Sequence, residues 1–263
     1  MKSFILLAIL LLCISIAPTR STTTADPHLP RPLILQFPSV DAEKEDLIMW
    51  CQSWRFAGEA NKLAPWKSVP EDCAAYVKDY VTGKGYRFDL EIVATVTLAY
   101  ARSFELADDG MDAWVFDIDE TLLSNLPYYS DHGFGLEIFN EQEFDKWVDK
   151  ASAPAIESSL KLYEEILGLG FKIFLLTGRS ENKRSVTVEN LKRAGFEDWE
   201  KLILREKHDH GKTATKYKSE RRTEIASNGY RIVGNSGDQW SDLLGYSLSN
   251  RSFKLPNPMY FIP

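Results

Sequence analysis

Four short apolar runs divide the second half of the chain, and each is closed by polar or glycine-containing turns. They lie at residues 111–116 (with Ala113, Trp114, Val115 and Phe116), 171–176, 202–204 and 230–234. None alternates strictly between apolar and polar positions, so they predict strands buried on both faces, as in a parallel sheet. Helical patterns fall between them. Residues 154–167 place Ile156, Leu160, Tyr163 and Leu167 on one face and end near Gly168 and Gly170, and residues 180–194 stop at Gly195. A further helix with Tyr217-Lys218-Ser219 near its start runs to Asn228, where Gly229 supplies the expected C′ residue. Upstream, residues 41–108 read as helical, with helices over 72–81, after Pro70, and over 89–106. Strands that alternate with helices predict an α/β fold, a parallel sheet covered by helices with ligands at the carboxyl ends of its strands. The expected organisation is a helical segment at 41–108 and a core at 109–263.

The chemistry-bearing residues collect at those strand ends. The first strand runs into Asp117-Ile118-Asp119-Glu120-Thr121. Just past a strand the chain can coil, so two carboxylates two residues apart can converge on one Mg²⁺ or one phosphorus atom. The second strand ends in Thr177-Gly178-Arg179, a hydroxyl beside a glycine-loosened backbone. The fourth leads into Gly237-Asp238-Gln239-Trp240-Ser241-Asp242, with Asp238 expected at a solvent-facing strand end, and Lys218 lies between the two. Lys212 and Lys216 compete with Lys218 for the cationic role. Thr121 reads as a hydroxyl bracing the turn. A metal-dependent glycosyltransferase could use Asp117 and Asp119 to hold its metal, but that reading leaves Thr177 and Asp238 unexplained. The pair His208 and His210 has no third ligand nearby and reads as a solvated loop. Tyr128 and Tyr129 are placed either to stack on an aromatic leaving group or to pack a flap over the site.

Charge and cysteines set the compartment. Lys2 precedes an uncharged apolar stretch at 4–17, followed by small and polar residues at 19–21, the layout of a cleavable signal peptide over residues 1–21. The stretch is shorter than the roughly 20 residues a membrane-spanning helix needs, so no membrane anchor is expected. Residues 22–40 form an N-terminal extension. Loss of Lys2 and Arg20 from 31 basic residues leaves 29 against 38 acidic ones, a balance that argues against nucleic acid as a partner. Cys13 leaves with the signal, and Cys51 and Cys73 remain as an even pair in an oxidising compartment. A disulfide is the first reading, and two buried free thiols the other. Asn250-Arg251-Ser252 is a glycosylation sequon, usable if exposed.

In order and placement, Asp117-x-Asp119-x-Thr121, Thr177, Lys218 and Gly237-Asp238 with Asp242 resemble the four motifs of the haloacid dehalogenase (HAD) superfamily. The likeness is wider. Cys51-x-x-Trp54-Arg55, Trp66-Lys67-Ser68-Val69-Pro70, Gly237-Asp238-Gln239-Trp240-Ser241-Asp242-Leu243 and Phe253-Lys254-Leu255-Pro256-Asn257-Pro258 look like the plant acid phosphatase and vegetative storage protein family. The resemblance implies a HAD-like Rossmannoid sheet with a small flap or cap. It implies a Mg²⁺-dependent acid phosphatase, class B-like, acting on small phosphomonoesters, with Asp117 as nucleophile and Asp119 as general acid and base, its pKa raised. Thr177 and Lys218 would bind phosphate. Asp117, the Asp119 carbonyl and Asp238 would hold the metal, and Asp242 would orient Lys218 or a metal-bound water. Some storage members have lost the nucleophilic aspartate; here Asp117 is present. A storage or defence role with residual activity is the rival expectation. Vacuole and cell wall space both fit a secretory protein, and a homodimer stays open.

Overall fold

In the computed structural model residues 43–263 are described, with side chains from residue 45 onward. The expected signal peptide, the extension and Cys13 lie outside them. The elements, in chain order, are α1 (Glu43–Glu59), α2 (Ala74–Val81), α3 (Lys84–Ser103), β1 (Asp112–Phe116), α4 (Leu126–Asp131), α5 (Glu141–Val148) and α6 (Glu157–Gly168). They continue with β2 (Lys172–Ser180), α7 (Arg184–Arg193), β3 (Lys201–Arg205), α8 (Ala214–Ser227), β4 (Arg231–Gly237), α9 (Trp240–Leu243) and β5 (Arg251–Lys254). The five strands form one sheet in the order β3-β2-β1-β4-β5, every pair parallel. The fold is α/β, as the alternating pattern predicts.

Every residue of β1 is buried, because the strand is central and helices cover both faces. Successive side chains point to opposite faces. Trp114 and Phe116 join Ile173, Leu175 and Val233 in a layer with residues of α3, α6 and α7, while Ala113 and Val115 join Phe174, Leu176 and Ile203 against Tyr217 and Ile225 of α8. Trp114 is the largest side chain in this core. Its ring stacks on Phe253 at 5.5 Å and meets Phe171 edge-on at 5.6 Å, and its indole N–H donates to Ser236 Oγ at 3.1 Å. The room for it comes from Gly234 on the neighbouring strand, where a Cβ would collide with the indole.

A third apolar cluster packs α1 and α2 around the Cys51–Cys73 disulfide, whose Cα atoms are 5.4 Å apart. Leu255 and Met259, from the last residues, complete it. Glu59, at the end of α1, fastens the same region: its carboxylate pairs with Lys254 at 2.7 Å and accepts from Asn257 N at 2.8 Å, and its carbonyl accepts from Trp240 Nε1 at 2.8 Å.

Several boundaries differ from expectation. The helix expected from 89 starts at Lys84, since Gly83 rather than an acid precedes it, and buries Tyr86, Leu90, Thr97 and Ala101. Helix α6 buries Ser159, Leu162, Tyr163 and Ile166. The stripe expected there is rotated, because Ile156 lies ahead of the helix and Leu160 and Leu167 sit half-buried at its edge. Strand β5 was not expected: only Phe253 of its four residues is buried, which leaves little apolar signal. Among the described residues no helix is long and apolar enough to cross a membrane.

Gly234→Ala is expected to cost about 1–3 kcal/mol, the usual penalty of overpacking a filled core, read as a lowered denaturant midpoint. Gly168→Ala, where an added Cβ meets open space, is the control; equal midpoints in the two variants would contradict this account of the packing.

Candidate active site

The residues singled out by the sequence meet at the carboxyl ends of β1, β2 and β4. Asp117 follows β1 directly, and its N–H donates to Ser236 O at 3.0 Å. The chain then coils: Glu120 has φ 55°, and Ile118 O accepts from the N–H groups of Thr121, Leu122 and Leu123. The coil leaves the carboxylates of Asp117 and Asp119 lining one cavity of about 560 Å³. Lys218, in the second turn of α8, Asp238 and Asp242 line it too.

Lys218 is buried and its ammonium is held between the Asp117 and Asp242 carboxylates. Burial opposes that charge, but the two carboxylates outweigh it and push the lysine pKa up. Asp117 is driven the other way from a normal acid: burial raises its pKa well above the usual range, with Lys218 opposing and Asp242 and Asp238 adding to the rise. Asp238 is pushed up to about 7 by burial, then by Asp242 and Glu120. One oxygen from each of Asp117, Asp238 and Asp242 lies within 4.8 Å of the others. An all-oxygen, buried cluster of crowded like charges fits a hard divalent cation, which would relieve the repulsion. Asp242 belongs to that cluster as well as to Lys218.

Asp119 is placed differently. Arg179 grips its carboxylate, Nη2 to Oδ1 at 2.7 Å and Nε to Oδ2 at 3.0 Å. Burial would raise the Asp119 pKa, yet Arg179 more than offsets it and holds the group below its usual value. The raised pKa expected for Asp119 is thus reversed, because the Arg179 guanidinium outweighs its burial. Thr177 is fully buried; its Oγ accepts from Arg179 N at 3.1 Å and lies 3.5 Å from Asp119 Oδ2. Thr121 braces the turn, as expected, its Oγ accepting from Asp238 N at 3.1 Å.

Asp238 was expected at a solvent-facing strand end, and the structure corrects that: it is 1% exposed. Its carboxylate accepts from Gln239 Nε2 at 2.7 Å and Asn257 Nδ2 at 2.8 Å. Gly237 lies so close to Asp242 that a Cβ there would strike its carboxylate. Arg222, fully buried, donates to the carbonyls of Asp242, Leu244, Tyr246 and Ser247 and so fixes the loop that carries Asp242.

Sequence reasoning missed four of these residues. Arg179 stood in the quoted turn without a role. Asn125 bridges Asp119 and Glu120, its Nδ2 2.9 Å from each carboxylate, and accepts from Trp147 Nε1 at 2.8 Å. Nothing local marks it. Gln239 and Asn257 lay inside quoted segments, but their reach to Asp238 depends on tertiary contact. Of the aromatic pair, Tyr129 lines the cavity and stacks on Tyr260 at 5.1 Å, whereas Tyr128 stacks on His132 at 4.0 Å and does not line it.

The loop before α8 is only partly the solvated segment expected. His208 is exposed, but Asp209 is fully buried and pairs with Arg221 at 2.7 Å and Lys212 at 2.8 Å. Arg221 and Arg222 of α8 are likewise buried.

The family described as HAD superfamily, subfamily IIIB (acid phosphatase) matches residues 39–263, and the chain belongs to it. It is an HAD-type phosphatase, a phosphoric monoester hydrolase by family. The chain is 59% identical over 263 residues, the whole length of both, to Acid phosphatase 1 of Solanum lycopersicum. It is 39% identical to Vegetative storage protein 1 of Arabidopsis thaliana, over 81% of this chain and 79% of that protein. The class C acid phosphatase from Bacillus anthracis with tungstate bound superposes with a TM-score of 0.56 at 23% identity, covering 72% of this chain and 85% of that one, a likeness of fold.

Asp209 tests the inward-facing ion pairs. Burial opposes its charge, but Lys212 and Arg221 depress its pKa. A carboxylate depressed on folding stabilises above its unfolded pKa of about 3.9 and loses that contribution as pH falls below it. Asp209→Asn should therefore melt well below the wild type near neutral pH, with the gap narrowing as pH drops below about 4. A gap independent of pH would show that the ion pairs carry none of the stability.

Proposed function

We propose a secreted, Mg²⁺-dependent acid phosphatase that hydrolyses small phosphomonoesters through an aspartyl-phosphate on Asp117. The observation that carries it is the buried Lys218 between Asp117 and Asp242, on the floor of a cavity that Asp119 and Asp238 share. Phosphate esters resist attack because anionic oxygens shield phosphorus, so a site must neutralise charge, supply a nucleophile and protonate the leaving oxygen.

Lys218 opposes the upward push that burial and the neighbouring acids give the Asp117 carboxylate, a bound divalent cation would add to that opposition, and Asp242 and Arg222 keep Lys218 in place. An Asp117 oxygen attacks phosphorus as the ester P–O bond breaks, and the leaving oxygen takes a proton from Asp119. Asp119 then removes a proton from water, whose oxygen displaces Asp117 from phosphorus and releases inorganic phosphate. Arg179 must let go of Asp119 first, so that Asp119 can take up from solvent the proton it gives the leaving oxygen, and the incoming phosphoryl oxygens offer the guanidinium another anion. Thr177 and Lys218 donate hydrogen bonds to the phosphoryl oxygens. The metal would be held by Asp117, Asp238 and the Asp119 carbonyl, with Asp242 beside them, and would supply Lewis-acid neutralisation of the phosphoryl charge.

The Cys51–Cys73 disulfide supports passage through the secretory pathway, to the cell wall space or the vacuole. Asn250 is exposed, which makes its sequon a usable glycosylation site. A storage role is favoured only by the likeness to vegetative storage proteins; the assembled site argues that catalysis is retained.

Asp117→Asn should lower turnover of a chromogenic phosphate ester by several orders of magnitude. Retention of more than about a tenth of the activity, a loss under ~1.4 kcal/mol, would rule out the covalent route. Asp119→Asn should harm esters with poor leaving groups more than activated ones, because only the former need the acid.

Chelation should abolish activity and added Mg²⁺ restore it, since Mg²⁺ keeps several waters and is loosely held. Because Asp238 is buried and bonded, the gentler Asp238→Asn is the informative variant, and it should raise the Mg²⁺ concentration for half activity. Full activity without metal, or an unchanged requirement in Asp238→Asn, would remove the metal from the reading.

A further inference from the structure

The cavity has two unlike halves. Its floor is the charged cluster, while two separate stretches add large apolar side chains to its lining, among the charged groups of Lys67, Glu141, Asp145 and Lys183. One stretch carries Ile138 and Phe139, which are 74% and 51% exposed and stand ahead of α5. The other is residues 260–263, with Phe261 and Ile262 lining the cavity. Large apolar side chains left in solvent around a charged floor call for an apolar ligand part to cover them.

Residues 257–263 are not a loose tail. Asn257 bonds Asp238 and Glu59; Tyr260 O–H donates to Glu120 Oε2 at 2.9 Å; Pro263 O accepts from Ala214 N at 3.2 Å. Between these points the Gln239 amide acts as a pin. Its Oε1 accepts from Ile262 N at 3.0 Å, while its Nε2 reaches both Tyr260 O at 3.3 Å and Asp238 Oδ2 at 2.7 Å. One side chain thus ties this stretch to the floor, so the distance between Phe261 and the Asp117 oxygen is set by bonded contacts. Trp66 backs Phe261, ring centroids 6.3 Å apart.

We propose that residues 257–263 form a fixed specificity strap, in which Phe261 and Ile262 seat a flat, apolar leaving group opposite Ile138 and Phe139. The enzyme then prefers phosphomonoesters of extended aromatic alcohols over those of small polar alcohols. The inference rests on the phosphomonoesterase reading, and it concerns which alcohol is bound, not how the ester is cleaved. Gln239 and Asn257 act as positioning residues, through the strap and Asp238.

The test compares binding by calorimetry, in the presence of Mg²⁺, of inorganic phosphate and of 2-naphthylphosphonate, which has no scissile ester. Wild type should bind the naphthyl compound at least tenfold more tightly than phosphate, the scale that apolar pocket contacts reach. In the Phe261→Ala, Ile262→Ala double variant that advantage should fall to threefold or less while phosphate affinity stays within about twofold. Ile262→Thr keeps the branched shape and should lose part of the advantage even if the double variant folds poorly; Phe261→Leu should retain most of it. An undiminished naphthyl preference in these variants would overturn the strap, as would equal loss of phosphate affinity, which would make the segment a support of the charged floor. Turnover of phenyl and 2-naphthyl phosphate by the wild type is the separate arm. Failure to cleave either would count against the proposed chemistry, and the phosphonate comparison would still decide the strap.

Discussion

A single ammonium group, buried between two carboxylates, is the constraint on which the site depends. Lys218 brings one positive charge into a region that holds Asp117, Asp238 and Asp242. Taking the partner of a buried charge away costs roughly 3–5 kcal/mol, so the lysine and the two acids it touches stand or fall together. One cation does not balance three acids. The residual negative charge is what makes the cluster suited to a divalent ion, and it also explains why the surrounding groups are so thoroughly bonded.

That bonding extends outward in layers. Arg222 replaces the backbone partners missing at the end of α9, Thr121 clips the coil after β1 to Asp238, and Asn125 joins Asp119 to Glu120. Gly237 and Gly234 serve by what they lack, one leaving space for Asp242 and the other for Trp114. The clustered carboxylates and the lysine are therefore held by strand ends and buried polar contacts. A site built this way has little reorganisation to undergo when charge develops on a phosphoryl group.

The fold was largely legible because its strands are central: burial on both faces writes continuous apolar runs such as 113–116 and 173–176, with acids or a hydroxyl just beyond. Asp117, Asp119, Lys218, Asp238 and Asp242 could be found from order and spacing, and the structure brings all five to one cavity. What was not legible involves pairs far apart in the chain. Arg179 meets Asp119 sixty residues away, so the reversal of the Asp119 pKa had no local sign. Asp238 looked exposed because it follows a strand, yet Asn257 and Gln239 close over it. Strand β5 and the face of α6 were obscured by partial burial at the edges of the sheet and helix, where apolar periodicity is weakest.

Glu59 receives Lys254, Asn257 and Trp240, so the first described helix is joined to the last stretch of the chain. A polypeptide leaves the ribosome from its N-terminal end, and domains fold as units during synthesis at about 5–20 residues per second. The β1 acids and Lys218 emerge well before residues 254–263 do. Until those residues arrive, Glu59 lacks Lys254, Asp238 lacks its Asn257 donor, and the cavity lacks the lining that Phe261 and Ile262 give it. Residues 254–263 thus complete a cluster whose acids and lysine come from earlier in the chain.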